Sequence, residues 1–125
     1  MAKILVAEDE RDIRELIGHA LRFAGFEVVL VANGTEALEQ TVLEQPDLVI
    51  LDVRMPKLTG YEVCQRMKEN PATRAIPVVF LSAKGQESEI EQGMAVGAEA
   101  YILKPFGPEE LANQVRQILL RSGRS

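Results

Sequence analysis

The sequence predicts a single α/β domain: a parallel five-stranded sheet with helices on both faces, doubly wound as a (βα)5 sandwich. Two observations carry the prediction. Short apolar runs recur along the chain, among them Ile4-Leu5-Val6, Leu48-Val49-Ile50-Leu51 and Val78-Val79-Phe80-Leu81. Near-continuous runs of this kind fit strands buried on both faces. Between the runs lie segments with apolar residues at helical spacing, and alternation of the two gives a doubly wound sheet.

The elements follow in order. The first strand is Lys3–Ala7. A helix is expected over residues 10–24, with Ile13, Leu16, Ile17, Ala20, Leu21 and Ala24 on one stripe and Gly25 as its stop. The second strand is Glu27–Val31. The next helix opens at Asn33, an N-cap residue with Glu36 three positions on, and ends before Pro46. The third strand covers 48–51. The helix after it opens at Thr59-Gly60, buries Val63, Cys64 and Met67, and stops before Asn70-Pro71. A fourth strand over 78–81 leads to a helix within 86–96 that ends at Gly97. A fifth strand over 100–103 leads to a last helix, Pro108–Arg121, with proline near its start and Leu111, Val115, Ile118 and Leu119 facing inward. The domain is thus expected over residues 1–121, with 122–125 as a small polar tail, linker stub or cloning remnant.

Bulk composition narrows the function. The 125 residues suit one domain, and 46% hydrophobic with 26% charged residues is ordinary for a globular chain. A net charge of -5 argues against nucleic-acid binding by this domain, because phosphate backbones reward clustered Lys and Arg. The lone Cys64 allows no intrachain disulfide. The opening apolar run meets Glu8 too soon for a signal peptide, and no run reaches the ~20 residues that span a bilayer. A cytoplasmic protein with no membrane partner is expected.

In a doubly wound sheet the site lies beyond the carboxyl ends of the strands. Those ends carry Glu8-Asp9-Glu10, Asp52, Ser82-Ala83-Lys84 and Lys104-Pro105. With strand order 2-1-3-4-5, the first and third strands are neighbours, and Glu8, Asp9 and Asp52 converge. Two carboxylates about 4 Å apart repel by roughly 4 kcal/mol at an effective dielectric of 20. One of them must hold a proton, or a cation must join them. Oxygen ligands without His or Cys suit Mg²⁺, which keeps positions for water and phosphate oxygens, better than zinc. A carboxylate beside Mg²⁺ can attack a phosphoryl group and become an acyl phosphate. The charge that develops needs donors, which Mg²⁺, Lys104 and the Ser82 hydroxyl or a nearby backbone N–H would supply.

At these residues the chain resembles the receiver domains of two-component response regulators, of the chemotaxis-regulator-like kind. The resemblance runs from Lys3 to about Arg121. It rests on Ile4-Leu5-Val6-Ala7-Glu8-Asp9-Glu10, on Val49 to Gly60 around Asp52, on Phe80-Leu81-Ser82-Ala83, and on Gly97 to Phe106. Each motif is weak alone, and the four in order are specific. The resemblance implies a flavodoxin-like fold and a phosphorylation-activated switch, not a turnover enzyme. It makes Asp52 the phospho-acceptor, with Lys104 and Ser82 assisting. Glu8 and Asp9 become the acidic pair, Asp9 being the more direct Mg²⁺ ligand, and the Arg54 backbone carbonyl also binds the ion. Lys104 would contact the acceptor and the phosphoryl group, next to a cis bond to Pro105. Ser82 and Tyr101 form the switch pair. The implied partners are a sensor histidine kinase or phosphotransfer protein, and a downstream protein target or missing output domain. Self-association would use the face of helix 4, strand 5 and helix 5. The chain departs from one dimerising subgroup there: Ile90, Ala100 and Gln114 stand where that subgroup carries charge, although Glu110 and Arg116 remain.

Plainer readings stand beside these. Glu8-Asp9-Glu10 are also first-turn acids favoured by a helix dipole. Lys104 is also a strand-end lysine, Ser82 a turn residue and Tyr101 a core aromatic. His19 lies off the apolar stripe and reads as a solvated helix position, and Cys64 reads as core. Arg54 and Lys84 are either solvated or tune water access to the site. Three other functions compete. A haloacid-dehalogenase-type phosphohydrolase needs a second Asp where Arg54 stands. A flavodoxin-like FMN protein needs a Gly/Ser/Thr-rich phosphate loop where three acids stand. A receiver-like interaction module that is never phosphorylated keeps the fold without the chemistry.

Overall fold

The computed structural model describes residues 2–83, 87–104 and 106–123. Expectations placed on Lys84, Pro105, the last two residues and the side chains of Ser82 and Ile90 lie outside what is described. Five strands alternate with five helices: β1 (Lys3–Ala7), α1 (Arg11–Phe23), β2 (Glu27–Val31), α2 (Gly34–Glu44), β3 (Leu48–Asp52), α3 (Gly60–Glu69), β4 (Val78–Ala83), α4 (Glu87–Ala95), β5 (Ala100–Lys104) and α5 (Pro108–Arg121). All strand pairs are parallel, and the order is β2-β1-β3-β4-β5. Among the described residues no helix is long and apolar enough to cross a membrane.

The period-2 geometry of a strand sorts the apolar runs between two cores. Leu5, Val49, Leu51, Val78 and Phe80 point to one side, where they meet Val63, Cys64 and Met67 of α3. Ile4, Val6, Leu48, Ile50, Val79 and Leu81 point to the other, where Ile17 and Leu21 of α1 and Leu111, Val115, Ile118 and Leu119 of α5 close over them. This two-sided burial explains why the strands read as unbroken apolar runs.

The caps match the sequence signals. The Asn33 side chain accepts from the Glu36 N–H at 2.9 Å. Thr59 and Glu62 form a reciprocal capping box, and the bonds from Thr59 hold the Glu62 carboxyl below its ordinary range. Two expectations need correction. β3, β4 and β5 each run one or two residues beyond the apolar runs, so Asp52, Ser82 and Lys104 lie on the strands rather than after them. The ladder continues through Asp52↔Leu81, Ser82↔Leu103 and Ala83↔Lys104, because parallel pairing needs only backbone groups and tolerates a polar side chain at the end. Leu16, placed on the buried stripe of α1, is 52% exposed, at the edge of a stripe whose centre is Ile17 and Leu21.

Candidate functional site

The carboxyl ends of β1, β3 and β5 bring three of the expected side chains into contact. Lys104 donates from Nζ to Glu8 Oε1 and to Asp52 Oδ2, both at 3.3 Å. Glu8 is fully buried and Asp52 is 9% exposed, whereas Asp9 is exposed. One carboxylate oxygen from each of Glu8, Asp9 and Asp52 lies within 4.8 Å of the others. The β3–α3 connection then folds back over the end of β3. The Arg54 N–H donates to Asp52 Oδ1 at 3.4 Å, and the Gly60 N–H donates to the Val53 carbonyl at 2.9 Å. A side chain at Gly60 would run into the Asp52 carbonyl oxygen and lie 3.0 Å from Phe80, so this close return requires glycine.

The electrostatics follow from burial and crowding. Burial first, then the hydrogen bond and charge of Asp52, push the Glu8 carboxyl up to about 8, against smaller opposing effects of the Glu10 N–H and Lys104. Burial pulls the Lys104 ammonium down, but the Asp52 and Glu8 carboxylates outweigh it and raise it on balance. Lys104 therefore bridges the crowded acids, and burial beside Asp52 favours a proton on Glu8 wherever no cation joins them. A divalent cation would replace that proton. The donor set fits a hard ion: carboxylate oxygens, one of them exposed, and no thiolate or imidazole.

The two residues expected to form the switch pair lie on β4 and β5. Ser82 lies on β4 opposite Leu103. Tyr101 is half-buried, and its ring packs on Phe80 with centroids 5.6 Å apart; Phe80 also meets Tyr61 at 5.3 Å. On the α5 side, Arg116 is engaged within the chain. It donates to Asn113 Oδ1 at 2.9 Å and to the Ala24 carbonyl at 3.3 Å, and it lies 5.8 Å over the Phe26 ring. His19 is exposed. Cys64 is buried, which pushes its thiol up to about 11 and leaves it a core residue.

The sequence reading missed two contributors. Arg14 donates to the Glu8 and Asp9 carbonyls at 2.9 and 3.3 Å. Gly93 of α4 leaves the space that the Tyr101 hydroxyl occupies. An arginine one turn after an acidic strand end was a visible signal for the first. Nothing local marked the second, since its neighbour comes from another strand.

Sheet order, acidic cluster and bridging lysine together define the class: a doubly wound α/β domain with an acidic site at the carboxyl ends of its strands. Residues 4–116 match the family described as the response regulator receiver domain, and the chain belongs to that family as a component of two-component signalling. The probable transcriptional regulator ycf27 of Cyanophora paradoxa is 44% identical over 120 residues, 96% of this chain and 49% of the relative. The phosphate regulon transcriptional regulatory protein PhoB of Pseudomonas aeruginosa is 42% identical over 120 residues, 96% of this chain and 52% of the relative. The structure of the chemotaxis response regulator CheY4 of Vibrio cholerae is similar with a TM-score of 0.90 and 34% identity, covering 95% of this chain and 99% of that one. The chain spans about half the length of the curated relatives it matches.

Proposed function

We propose that the domain, residues 1–121 with 122–125 as a tail, accepts a phosphoryl group on Asp52 from a phosphohistidine of a sensor kinase or phosphotransfer protein. The observation that carries this reading is the bridge from Lys104 to both Asp52 and Glu8. An Asp52 oxygen forms the new O–P bond, the donor's N–P bond breaks, and the imidazole leaves with the electron pair. Asp9, Asp52, Glu8 and the Arg54 carbonyl would hold Mg²⁺, which supplies positive charge for the phosphoryl oxygens. Lys104 is placed to leave Glu8 for the incoming oxygen, since it already contacts the acceptor. The third oxygen falls to the Ser82 hydroxyl.

The acyl phosphate shifts a conformational equilibrium only through its differential affinity for the two states. Withdrawal of Ser82 toward the phosphoryl group favours the inward Tyr101 ring and remodels the face of α4, β5 and α5. That face then engages a downstream protein, an output domain or a second copy. Relatives named as transcriptional regulators support an output of that kind for the whole protein. The test is intact-mass spectrometry after incubation with acetyl phosphate and Mg²⁺. The wild type should gain one phosphoryl group and Asp52→Asn none; equal incorporation in the variant excludes Asp52 as the acceptor.

A further inference from the structure

We infer that Arg14 is a positioning residue for the acidic site: its guanidinium ties down the β1–α1 turn and so aims the Asp9 carboxylate at the cation position. The inference rests on the metal-site reading of Glu8, Asp9 and Asp52.

The three acids are held very unequally. Asp52 is fixed by Lys104 and by the Arg54 N–H. Glu8 is buried, takes Lys104 on one oxygen and the Glu10 N–H on the other at 3.2 Å, and its own N–H donates to the Val31 carbonyl at 3.1 Å. Asp9 has none of this. It is exposed, it follows the last residue of β1 by two positions, and it precedes the first turn of α1. Among the described residues a single hydrogen bond reaches Asp9 at all, and that bond comes from Arg14 Nη1 to its carbonyl, 3.3 Å long. The same nitrogen donates to the Glu8 carbonyl at 2.9 Å. One cation thus clamps the two consecutive peptides that carry the acidic pair. Arg14 is itself anchored, because its N–H donates to the Glu10 carbonyl at 2.9 Å as the opening bond of α1. Helix, turn and strand end become one unit, and an exposed carboxylate gains a defined direction without a partner of its own.

Charge and geometry predict opposite effects, which makes the role separable. If Arg14 acted only through its positive charge, it would repel a divalent cation, and removing that charge would tighten binding. If it acts as a clamp, removing it loosens Asp9 and weakens binding. Outer groups that orient metal ligands are worth about 10- to 100-fold in affinity.

The experiment uses the full chain and three proteins: wild type, Arg14→Gln and Arg14→Lys. Mg²⁺ affinity is read by calorimetric titration, and backbone order by ¹⁵N relaxation of the metal-free protein. Arg14→Gln should weaken Mg²⁺ on the order of tenfold, with the melting temperature nearly unchanged. The order parameter of Asp9 should fall toward about 0.6. Arg14→Lys, which keeps a donor and the charge, should recover part of both. Wild-type or tighter Mg²⁺ binding by Arg14→Gln overturns the inference, as does a lysine variant no better than glutamine. The relaxation arm separates the two layers of the argument. Loosening of Asp9 in a protein that binds no Mg²⁺ would leave the clamp standing and remove the metal reading. An Asp9 as ordered in Arg14→Gln as in wild type would remove the clamp itself.

Discussion

At the ends of β1, β3 and β5 the molecule holds its side chains by charge; on the neighbouring face, under α4, it holds them by shape. The first region is a network in which Lys104 spans Glu8 and Asp52. Removing Lys104 from it would leave the nearly buried Asp52 carboxylate without its cation. The second region has Tyr101 half-buried against Phe80, with Gly93 making the room. Ring contacts of this kind are worth only about 0.5–1.5 kcal/mol beyond their buried area. Under the proposed function the contrast separates two tasks: charged groups gathered for chemistry, and a packed face that changes place for a modest cost.

The sharpest way to strain the charged region is pH. Glu8 ionises near 4.5 when unfolded and at about 8 when folded. Between those values the folded state binds the extra proton, so stability falls as pH rises across that window. Glu8→Gln removes the titration and keeps a hydrogen-bonding amide. Urea unfolding in EDTA from pH 5 to 8 should show the wild type losing stability on the order of a few kcal/mol relative to the variant. The variant should also bind Mg²⁺ more weakly. Parallel pH profiles for the two proteins would show that Glu8 does not carry the proton.

How much of this was legible in the sequence divides along the same line. The charged region was readable because each of its members stands at the end of an apolar run, and chain order converts such ends into neighbours. Glu8, Asp9, Asp52 and Lys104 were found that way. Their placement on the last strand residues was missed, since apolar patterning cannot see a backbone ladder that continues under polar side chains. The shape-held region was readable only in outline. Tyr101 was singled out only through the family resemblance, and its recess depends on a missing side chain at Gly93, one helix earlier. Packing between elements leaves no periodic trace, and the grip of Arg14 on two carbonyls showed only as an arginine soon after an acidic strand end.

The shape-held region can be tested by filling it. A Cβ on Gly93 would collide with the Tyr101 hydroxyl and come within 2.8 Å of its Cζ and 2.9 Å of Phe80. Gly93→Ala gains up to about 1 kcal/mol of helix propensity and loses roughly 1–3 kcal/mol to overpacking, so a net destabilisation of about 1 kcal/mol is expected. The larger effect is positional: the Tyr101 ring should leave Phe80 and face solvent. Nuclear Overhauser contacts between the two rings should disappear, while acetyl phosphate should still modify Asp52. Retained ring contacts in the variant would mean that α4, not Tyr101, gives way.

Between the two regions lies a constraint of a third kind, in the backbone. Lys57 has φ +73°, and the Leu58 N–H closes a three-residue turn onto the Pro56 carbonyl at 2.9 Å. This turn lets the chain leave Asp52 and return to start α3 at Gly60. Left-handed backbone costs a residue with a Cβ about 1–2 kcal/mol, and the exposed Lys57 side chain offers little in return. Glycine removes that strain but gives the unfolded chain more freedom, worth roughly 0.5–1 kcal/mol. The two terms nearly cancel, so Lys57→Gly should stabilise by about 0.5 kcal/mol, with phosphorylation by acetyl phosphate unchanged. Denaturant midpoints at constant slope measure the first and intact mass the second. A loss of about 1 kcal/mol or more would show that the Lys57 side chain takes part in holding the loop. The connection between the charged and shape-held regions would then be built by contacts rather than by backbone conformation.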